Sequence, residues 1–399
     1  MRAVDQSRAK ALAELARQAL PDAGALRAFR SQGVERLATD GLPVRNEAWR
    51  FTPPNRLVAP DFVTIAQPGP SAAELPDWVR ESDTVVRFVD GHSVDGAGVR
   101  LLSQAAPDEA STDDGFAALN RAFSTDGVDL ELTGPGIVHL FHESASPHGI
   151  SANRHRIRVS GTSVQIVEHV RGGSETLSSG VTELLLEDAS VSYVRIIEGE
   201  TTSRHVGQVV ATIAGGSSLS AGSFVFGGHT SRVELTANLR GASADARFFG
   251  LSLLRGTSHA DHHVTARHAK PHATSDQVFR SIVDDGSQSV FTGTVIVDKG
   301  AMGTDSNQLH QALLLSDDAT VHARPWLEIY ADDVKCAHGA TVGSLDADSL
   351  FYLRQRGLTE AEARGLLMWG FATGTVAELP DGVVREGLQA RVRRWLENA

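Results

Sequence analysis

The clearest pattern in the chain is a stretch near its middle, residues 188–243, which reads DASVSYVRIIEGETTSRHVGQVVATIAGGSSLSAGSFVFGGHTSRVELTANLRGAS. Short runs of β-branched and aromatic residues alternate with corners of small residues at 188–190, 215–218 and 241–243. β-Branched residues favour strands, whereas Gly and Ser favour turns. The corners lie 26 to 28 residues apart. This spacing is typical of one coil of a β-solenoid.

The same alternation of short strand-forming runs and small-residue turns continues over residues 136–343, and no long helical pattern interrupts it. A β-sandwich also alternates short strands with turns, so the texture alone leaves both folds open. The ends of the chain are different: near the N-terminus, Ala9, Leu12 and Ala16 recur at the steps of a helix. We therefore predict an N-terminal helical region with an aromatic arm (1–84), a β core (85–345) and a C-terminal helical domain (346–399).

Composition excludes some classes of protein. The net charge is −12 and no basic block occurs, which argues against a nucleic-acid binder. A single cysteine excludes an internal disulfide and fits a reducing compartment. The N-terminal segment lacks the apolar core of a signal peptide, and no apolar run reaches the ~18 residues of a spanning helix. The sequence therefore predicts a cytoplasmic protein.

The only cysteine lies in the stretch LEIYADDVKCAHGATVG, residues 327–343. Side chains alternate between the two faces of a strand, so Cys336 and His338 should point the same way. A thiolate beside an imidazole suits iron, zinc or an iron–sulfur fragment, and the adjacent Lys335 would favour the thiolate. Alternatively, a lone cysteine in a strand is a small buried hydrophobe. Two ligands do not complete a metal site, so metal binding here needs groups from elsewhere.

Five histidines fall in the segment HADHHVTARHAKPHATS, residues 259–275. Such a density suggests a metal site. However, the spacing lacks an H-E-x-x-H helix, and His262 and His263 would face opposite sides of a strand. We favour partly exposed structural or interface histidines, and we assign no metal ligand among His259, His262, His263, His268 and His272.

After residue 343 the pattern becomes helical again. Asp346 is placed to cap one helix, which ends at Gly357, and Thr359 with Glu362 forms a capping box for the next. A last amphipathic segment carries an apolar stripe of Val384, Leu388, Val392 and Trp395. Such a stripe usually packs on its own domain, and a face that binds a partner is the alternative.

Motifs of common enzyme classes are absent from the sequence. There is no G-x-x-x-x-G-K-S/T phosphate loop, so we expect no nucleotide bound by this chain itself. There is no G-x-G-x-x-G that opens a helix after a strand, and no G-x-S-x-G nucleophile elbow. There is also no C-x-x-C pair.

Two distant stretches resemble one known family. Residues 335–343, KCAHGATVG, are followed by Leu345-Asp346, Leu350-Phe351-Tyr352 and Arg356-Gly357. About 290 residues upstream, the stretch 41–53 carries Gly41-Leu42-Pro43, Arg45, Glu47, Trp49, Arg50, Phe51 and Thr52. Together these resemble the SufB/SufD family of scaffold subunits in the SUF iron–sulfur cluster assembly system. The single cysteine and the short chain favour its SufD branch, although His310-Gln311 depart from the family's usual Asn-rich pattern.

The resemblance implies a right-handed parallel β-helix and a non-enzymatic scaffold of a SufBCD complex. A SufB-like subunit would pair with the chain through the β-helix, and a homodimer is possible when the chain is alone. A SufC-like ATPase would dock on the C-terminal helices, with Leu388, Val392 and Trp395 as candidate contacts.

The same resemblance implies a site for cluster assembly at the SufB interface. It would contain His338, as the stronger candidate for direct participation, and Cys336 as a supporting thiol, with metal ligation shared with the partner. The nascent iron–sulfur cluster would form there, and a reduced flavin would associate with the complex. A β-helix enzyme acting on polysaccharide is the alternative, and it would use carboxylates such as Asp284, Asp285, Asp332 and Asp333.

Overall fold

A computed structural model of the chain describes residues 2–20, 24–43, 46–59, 61–71, 74–96, 99–102 and 115–397. Arg45 of the N-terminal motif lies outside these residues. The helices are α1 (Arg2–Gln18), α2 (Arg27–Asp40), α3 (Gly115–Phe123), α4 (Ala347–Gln355), α5 (Glu360–Val376) and α6 (Val383–Glu397).

The strands follow one another with short corners between them. They are β1 (Thr84–Val89), β2 (His92–Asp95), β3 (Asp129–Leu132), β4 (Gly136–Ser144), β5 (Ile150–Ser160), β6 (Ser163–Gly172), β7 (Leu177–Glu187), β8 (Ser190–Gly199), β9 (Arg204–Ile213), β10 (Ser218–Gly227), β11 (Thr230–Leu239), β12 (Asp245–Leu254), β13 (His259–His268), β14 (Thr274–Val283), β15 (Gln288–Val297), β16 (Asp305–Leu314), β17 (Thr320–Ile329) and β18 (Lys335–Gly343).

Successive strands alternate between two sheets. The even-numbered strands from β4 to β18 form one sheet in the order β18-β16-β14-β12-β10-β8-β6-β4, and β1 and then β2 extend it beyond β4. The odd-numbered strands from β17 to β3 form the other sheet. From β3 onward, neighbouring strands within a sheet pair in parallel. The chain is therefore a parallel β-solenoid of about eight coils with helices at both ends. This confirms the predicted fold class, and the sandwich alternative is wrong.

The coil length matches the spacing read from the sequence. Ser190 pairs with Ser218, 28 residues later, and Ser218 pairs with Asp245, 27 residues later. Because strand side chains alternate, one set from each strand fills the space between the sheets. That core contains apolar side chains such as Leu219, Val233 and Phe248.

The outer faces of the two sheets are covered by different parts of the chain. Helices α5 and α6 lie on the even-numbered sheet, where Met368 and Leu388 pack with Phe249 of β12. The helices α1 to α3 pack against the first coils, where Leu119 of α3 contacts the same cluster as Ile150. Helices α3, α5 and α6 thus bury apolar side chains on the solenoid, and α1 and α2 pack on α3.

The N-terminal motif is an arm that is fastened to the odd-numbered sheet. Trp49 is 4% exposed, and the guanidinium carbon of Arg232 on β11 lies 3.9 Å from its ring centroid. Arg232 forms ion pairs with Asp261 and Glu234. Thr52 donates a hydrogen bond to Asp261 Oδ2 over 2.6 Å. The arm residues therefore satisfy charged groups of the sheet and pack against it.

We expect the corners to tolerate no added side chain where successive coils touch. A Cβ atom on Gly241 would lie 1.7 Å from the backbone nitrogen of Gly215, one coil earlier. Gly241→Ala should therefore lower the free energy of unfolding by about 3 kcal/mol, because the two corners must separate. Gly134→Ala is the control, since its Cβ would have nothing within 4 Å. Urea unfolding of both variants is the measurement, and equal midpoints would contradict this account of the corners.

Candidate functional site at the last coil

The solenoid ends in strands that have a neighbour on one side only. β17 and β18 are the terminal strands of the two sheets. An edge strand presents unpaired backbone N–H and C=O groups that can pair with another chain. Large apolar side chains are also exposed here: Trp326 is 54%, Tyr330 62% and Val342 49% exposed. This end of the solenoid is therefore a surface suited to protein contact.

Cys336 and His338 lie on the same face of β18, as the alternation of strand side chains predicts. They pair in register with Ser306 and Gln308 of β16, and both of those side chains are buried between the sheets. Cys336 and His338 thus continue two interior rows of the solenoid. No further coil of the described chain covers them, so Cys336 is half-buried and His338 is exposed.

The environment of Cys336 corrects the prediction about its thiolate. Burial raises the pKa of the Cys336 thiol, and the carboxylate of Asp305 on β16 raises it further. Lys335 is exposed and follows the opposite parity on the strand, so its charge does not offset burial. At neutral pH the thiol stays protonated unless a metal ion or a cationic group of a partner lowers its pKa.

The apolar stripe of α6, which was predicted to dock a partner, is largely buried against the solenoid. Leu388 and Val392 are both 0% exposed and pack in the cluster that holds α6 to the solenoid. Trp395 is half-buried, and the guanidinium carbon of Arg255 lies 3.7 Å from its ring centroid. Leu388 and Val392 are therefore unavailable to a partner. The sequence could not show this, because an amphipathic pattern indicates that one face of a helix is buried but not what covers that face.

Exposed apolar side chains occur instead on α4 and at the start of α5. Phe351 is 65%, Tyr352 57% and Leu366 48% exposed. No described residue of α4 is buried, although Asp346 caps the helix by accepting a hydrogen bond from the Ser349 backbone N–H. A helix that buries none of its own aromatic side chains presents them to other molecules.

The first ten residues of the histidine-rich segment form strand β13, and His272 lies in the turn after it with a positive φ of 59°. The five side chains do not converge on one point. His262 points between the sheets toward Ser223 Oγ at 3.0 Å, whereas His263 contacts the Arg232 guanidinium on the outer face. His259 bonds to Thr52 and Gln288, and His268 to Ser275. His259, His262 and His268 are fully buried, so the expectation of partly exposed side chains is wrong for these three.

The carboxylates of the polysaccharide alternative lie at corners of the solenoid. Asp285 and Asp333 have positive φ angles of 50° and 53°. Asp285 accepts a hydrogen bond from the backbone N–H of Gly256 in the preceding coil. Both are therefore turn residues, for which Asp is well suited, and this alternative gains no support from their geometry.

The interior of the first coils holds a group that sequence reasoning missed. His142, His155 and Glu168 each offer one ligand atom, and these atoms lie within 4.8 Å of one another. They lie on three different strands, β4, β5 and β6, so no short sequence motif contains them. His142 Nδ1 faces Asn153 Oδ1, an acceptor, because Asn153 Nδ2 donates elsewhere. In the neutral ring His142 therefore carries its proton on Nδ1, and its Nε2 has a free lone pair. This Nε2 lies 3.4 Å from Glu168 Oε1.

The tautomer of His155 decides what this group can bind. The backbone N–H of Val128 donates to His155 Nδ1, so in the neutral ring Nε2 carries the proton. The three facing atoms are therefore two acceptors and one donor, which a water molecule matches. A metal ion requires a lone pair from every ligand. Burial raises the pKa of Glu168. The Arg195 guanidinium, the two neighbouring histidines and the hydrogen bond from Tyr193 together outweigh burial and keep the carboxylate ionised.

Buried neutral histidines make stability depend on pH. Burial lowers the pKa of His155 and His205 to about 3, and of His259, His262, His268 and His310 to about 4. In the unfolded chain a histidine titrates near pH 6.5. Below that pH the unfolded state binds protons that the folded state does not, so each histidine costs ~1.4 kcal/mol at about pH 5.5.

We therefore expect the free energy of unfolding to fall by on the order of 10 kcal/mol between about pH 6.5 and pH 4.5. Urea unfolding over this range measures the slope. A stability that is flat across this range would show that these histidines are protonated in the folded chain.

Comparison with known proteins gives the class to which this solenoid belongs. Residues 141–371, more than half of the chain, match the model of the SUF system FeS cluster assembly SufBD core domain. The chain therefore belongs to the SufB/SufD family, whose members take part in iron–sulfur cluster assembly.

Within that family the chain is SufD-like. It is 29% identical to the iron–sulfur cluster assembly protein SufD of Escherichia coli over 90% of each chain. A SufBD family protein of Mycobacterium tuberculosis is 27% identical over 88% of this chain and 89% of its own length. One from Synechocystis is 35% identical over 54% of this chain and 47% of its own. In the described part of the chain, no helix is long and apolar enough to cross a membrane.

Proposed function

We propose that this chain is a cytoplasmic scaffold subunit that pairs with a SufB-like subunit, docks a SufC-like ATPase and has no catalytic activity of its own. The observation that carries this proposal is the uncovered last coil. It combines two edge strands, exposed aromatic side chains and a thiol–imidazole pair in one place. A partner with a similar solenoid could extend both sheets and bury these groups together.

The cluster-assembly site would lie where the two solenoids meet. Cys336 and His338 supply one soft ligand and one imidazole, and the partner would supply the remaining ligands. The nascent iron–sulfur cluster is the cargo of this site. The raised pKa of the Cys336 thiol fits such a role, because the thiol would ionise only once iron is present. His338, which is exposed, needs no conformational change to reach a partner.

The ATPase would dock on α4 and the start of α5. This surface replaces the buried stripe of α6, and Phe351, Tyr352 and Leu366 are its apolar contacts. Aromatic side chains are common energetic centres of protein interfaces. The resemblance also implies a reduced flavin in the assembled complex, and we assign no residue of this chain to it. A homodimer through the last coil would be the arrangement of the isolated chain.

We expect a double variant, Phe351→Asp with Leu366→Asp, to weaken binding of the SufC-like ATPase at least ~10-fold. Both side chains are exposed, Phe351 by 65% and Leu366 by 48%, so the variant should remain folded. Val94→Asp, another exposed apolar position, is the matched control and should bind normally. Pull-down or calorimetry with the purified ATPase measures the effect. Normal binding by the folded double variant would remove α4 and α5 from the interface.

We expect His338→Ala to leave the complex with the SufB-like subunit intact and to lower its cluster content. Cys336→Ser should have a weaker effect in the same direction, because a hydroxyl replaces the thiol with little change in volume. The measurement is iron and sulfide per complex alongside the subunit ratio. His148→Ala, a half-exposed histidine in the first coils, is the control. A His338→Ala complex with normal subunit ratio and full iron and sulfide content would show that His338 takes no direct part in cluster assembly.

A further inference from the structure

A cavity of about 400 Å³ lies far from the last coil, between α6, the outer face of the first coils and the segment 74–78. Its aromatic walls are Trp78, Phe141 and His169. Phe141 and His169 stack with ring centroids 4.1 Å apart, and Trp78 lies 6.1 Å from His169 at 47°. The volume is at the lower end of the range of small-molecule sites, about 300 to 1,000 Å³.

The position of Trp78 is fixed by the helix behind it. A Cβ atom on Gly387 of α6 would lie 0.9 Å from a carbon of the Trp78 indole. Only glycine at this position allows the indole to lie against the helix backbone. The segment 74–78 is thereby held over the sheet, and the space between them stays open as a cavity.

A chain of hydrogen bonds sets the chemistry of His169. His139 Nε2 lies 3.2 Å from Asp83 Oδ2, and His139 Nδ1 lies 3.3 Å from His169 Nε2. Burial lowers the pKa of both imidazoles below its ordinary value, so both are neutral. A carboxylate can only accept, so His139 donates from Nε2 and accepts at Nδ1. His169 must then donate from Nε2, which leaves its Nδ1 as an acceptor.

The Nδ1 atom of His169 is available to a ligand. No described residue forms a hydrogen bond with it, whereas His169 itself lines the cavity. An acceptor fixed in this way selects a ligand that brings an N–H or O–H donor. The aromatic walls select a flat ring, since rings stack on one another at such distances.

The charges around the cavity are balanced. Four carboxylates and four guanidiniums line it: Glu74, Asp77, Glu143 and Glu198, and Arg87, Arg171, Arg391 and Arg394. The carboxylate of Glu198 pairs with Arg391 at 2.5 Å and with Arg171 at 3.9 Å. A rim without net charge gives no advantage to an ionised ligand, which would also lose its hydration on entry.

We propose that this cavity binds an uncharged planar nitrogen heterocycle of one or two rings, held by an N–H donated to His169 Nδ1 and by stacking on the aromatic walls. This site is separate from the scaffold role, because it lies at the opposite end of the solenoid from Cys336 and His338. It explains why the relay through Asp83 and His139 ends at a solvent cavity and not at another protein group.

The test is calorimetric or NMR titration of the full chain with uracil and with 1,3-dimethyluracil, which has no N–H. We expect uracil to bind with a dissociation constant on the order of 0.1 to 1 mM, as suits a ligand of this size. The dimethylated analogue should bind at least ~10-fold more weakly. Uridine monophosphate should bind no more tightly than uracil, since the rim carries no net charge.

Two variants separate the hydrogen bond from the stacking. His169→Phe keeps an aromatic ring on the wall but removes the acceptor, so it should lose the preference for uracil over its dimethylated analogue. Trp78→Ala should weaken both ligands about equally, and Trp326→Ala, an exposed tryptophan on β17, should weaken neither. Thermal melts establish that each variant is folded.

The proposal is overturned if uracil does not bind the wild-type chain at about 5 mM, well above the expected dissociation constant. Equal affinity for uracil and 1,3-dimethyluracil would also overturn it. Much tighter binding of uridine monophosphate would instead indicate a phosphate site at the arginines. If His169→Phe does not fold, the pair of matched ligands on the wild-type chain still decides the question.

Discussion

The backbone pairing of each coil with the next is the constraint on which the rest of the structure depends. Within each sheet, a strand obtains its hydrogen bonds only from the strand one coil earlier and one coil later. Such an arrangement is stable in the middle and incomplete at its ends. At the start, β1 turns back into an antiparallel pair with β2. At the finish, β17 and β18 have no such cover among the described residues, so the exposed edge is a direct product of the fold.

The polar side chains between the sheets follow the same rule. Ser275 bonds to Ser306 over 2.8 Å, and Gln277 to Gln308 over 3.2 Å, each pair joining neighbouring coils. A buried polar group without a partner is costly, so these rows need a continuing neighbour. In the last coil the rows end in a thiol and an imidazole, both of which can find partners outside the chain. The chemistry of this end therefore follows from where the rows stop.

The recurrence of small corner residues agreed with a solenoid but did not exclude a sandwich, and the resemblance of residues 41–53 and 335–343 to the SufB/SufD family decided between them. The period of two placed Cys336 and His338 on one face. The sequence could not predict the raised pKa of Cys336, which depends on burial and on Asp305 in the previous coil. The stripe containing Leu388 was visible, but the sheet that covers it was not. The group of His142, His155 and Glu168 was missed because its members meet only after three strands have been stacked.

The arm that carries Trp49 and Thr52 has a consequence for the order in which the chain matures. Thr52 bonds to His259 and Asp261, more than 200 residues later, and Glu47 bonds to Arg324, 277 residues later. During synthesis the arm leaves the ribosome long before its binding surface exists. The coils can form one after another by local pairing, but the arm must wait until most of the solenoid has been made. Its docking therefore marks a nearly complete chain.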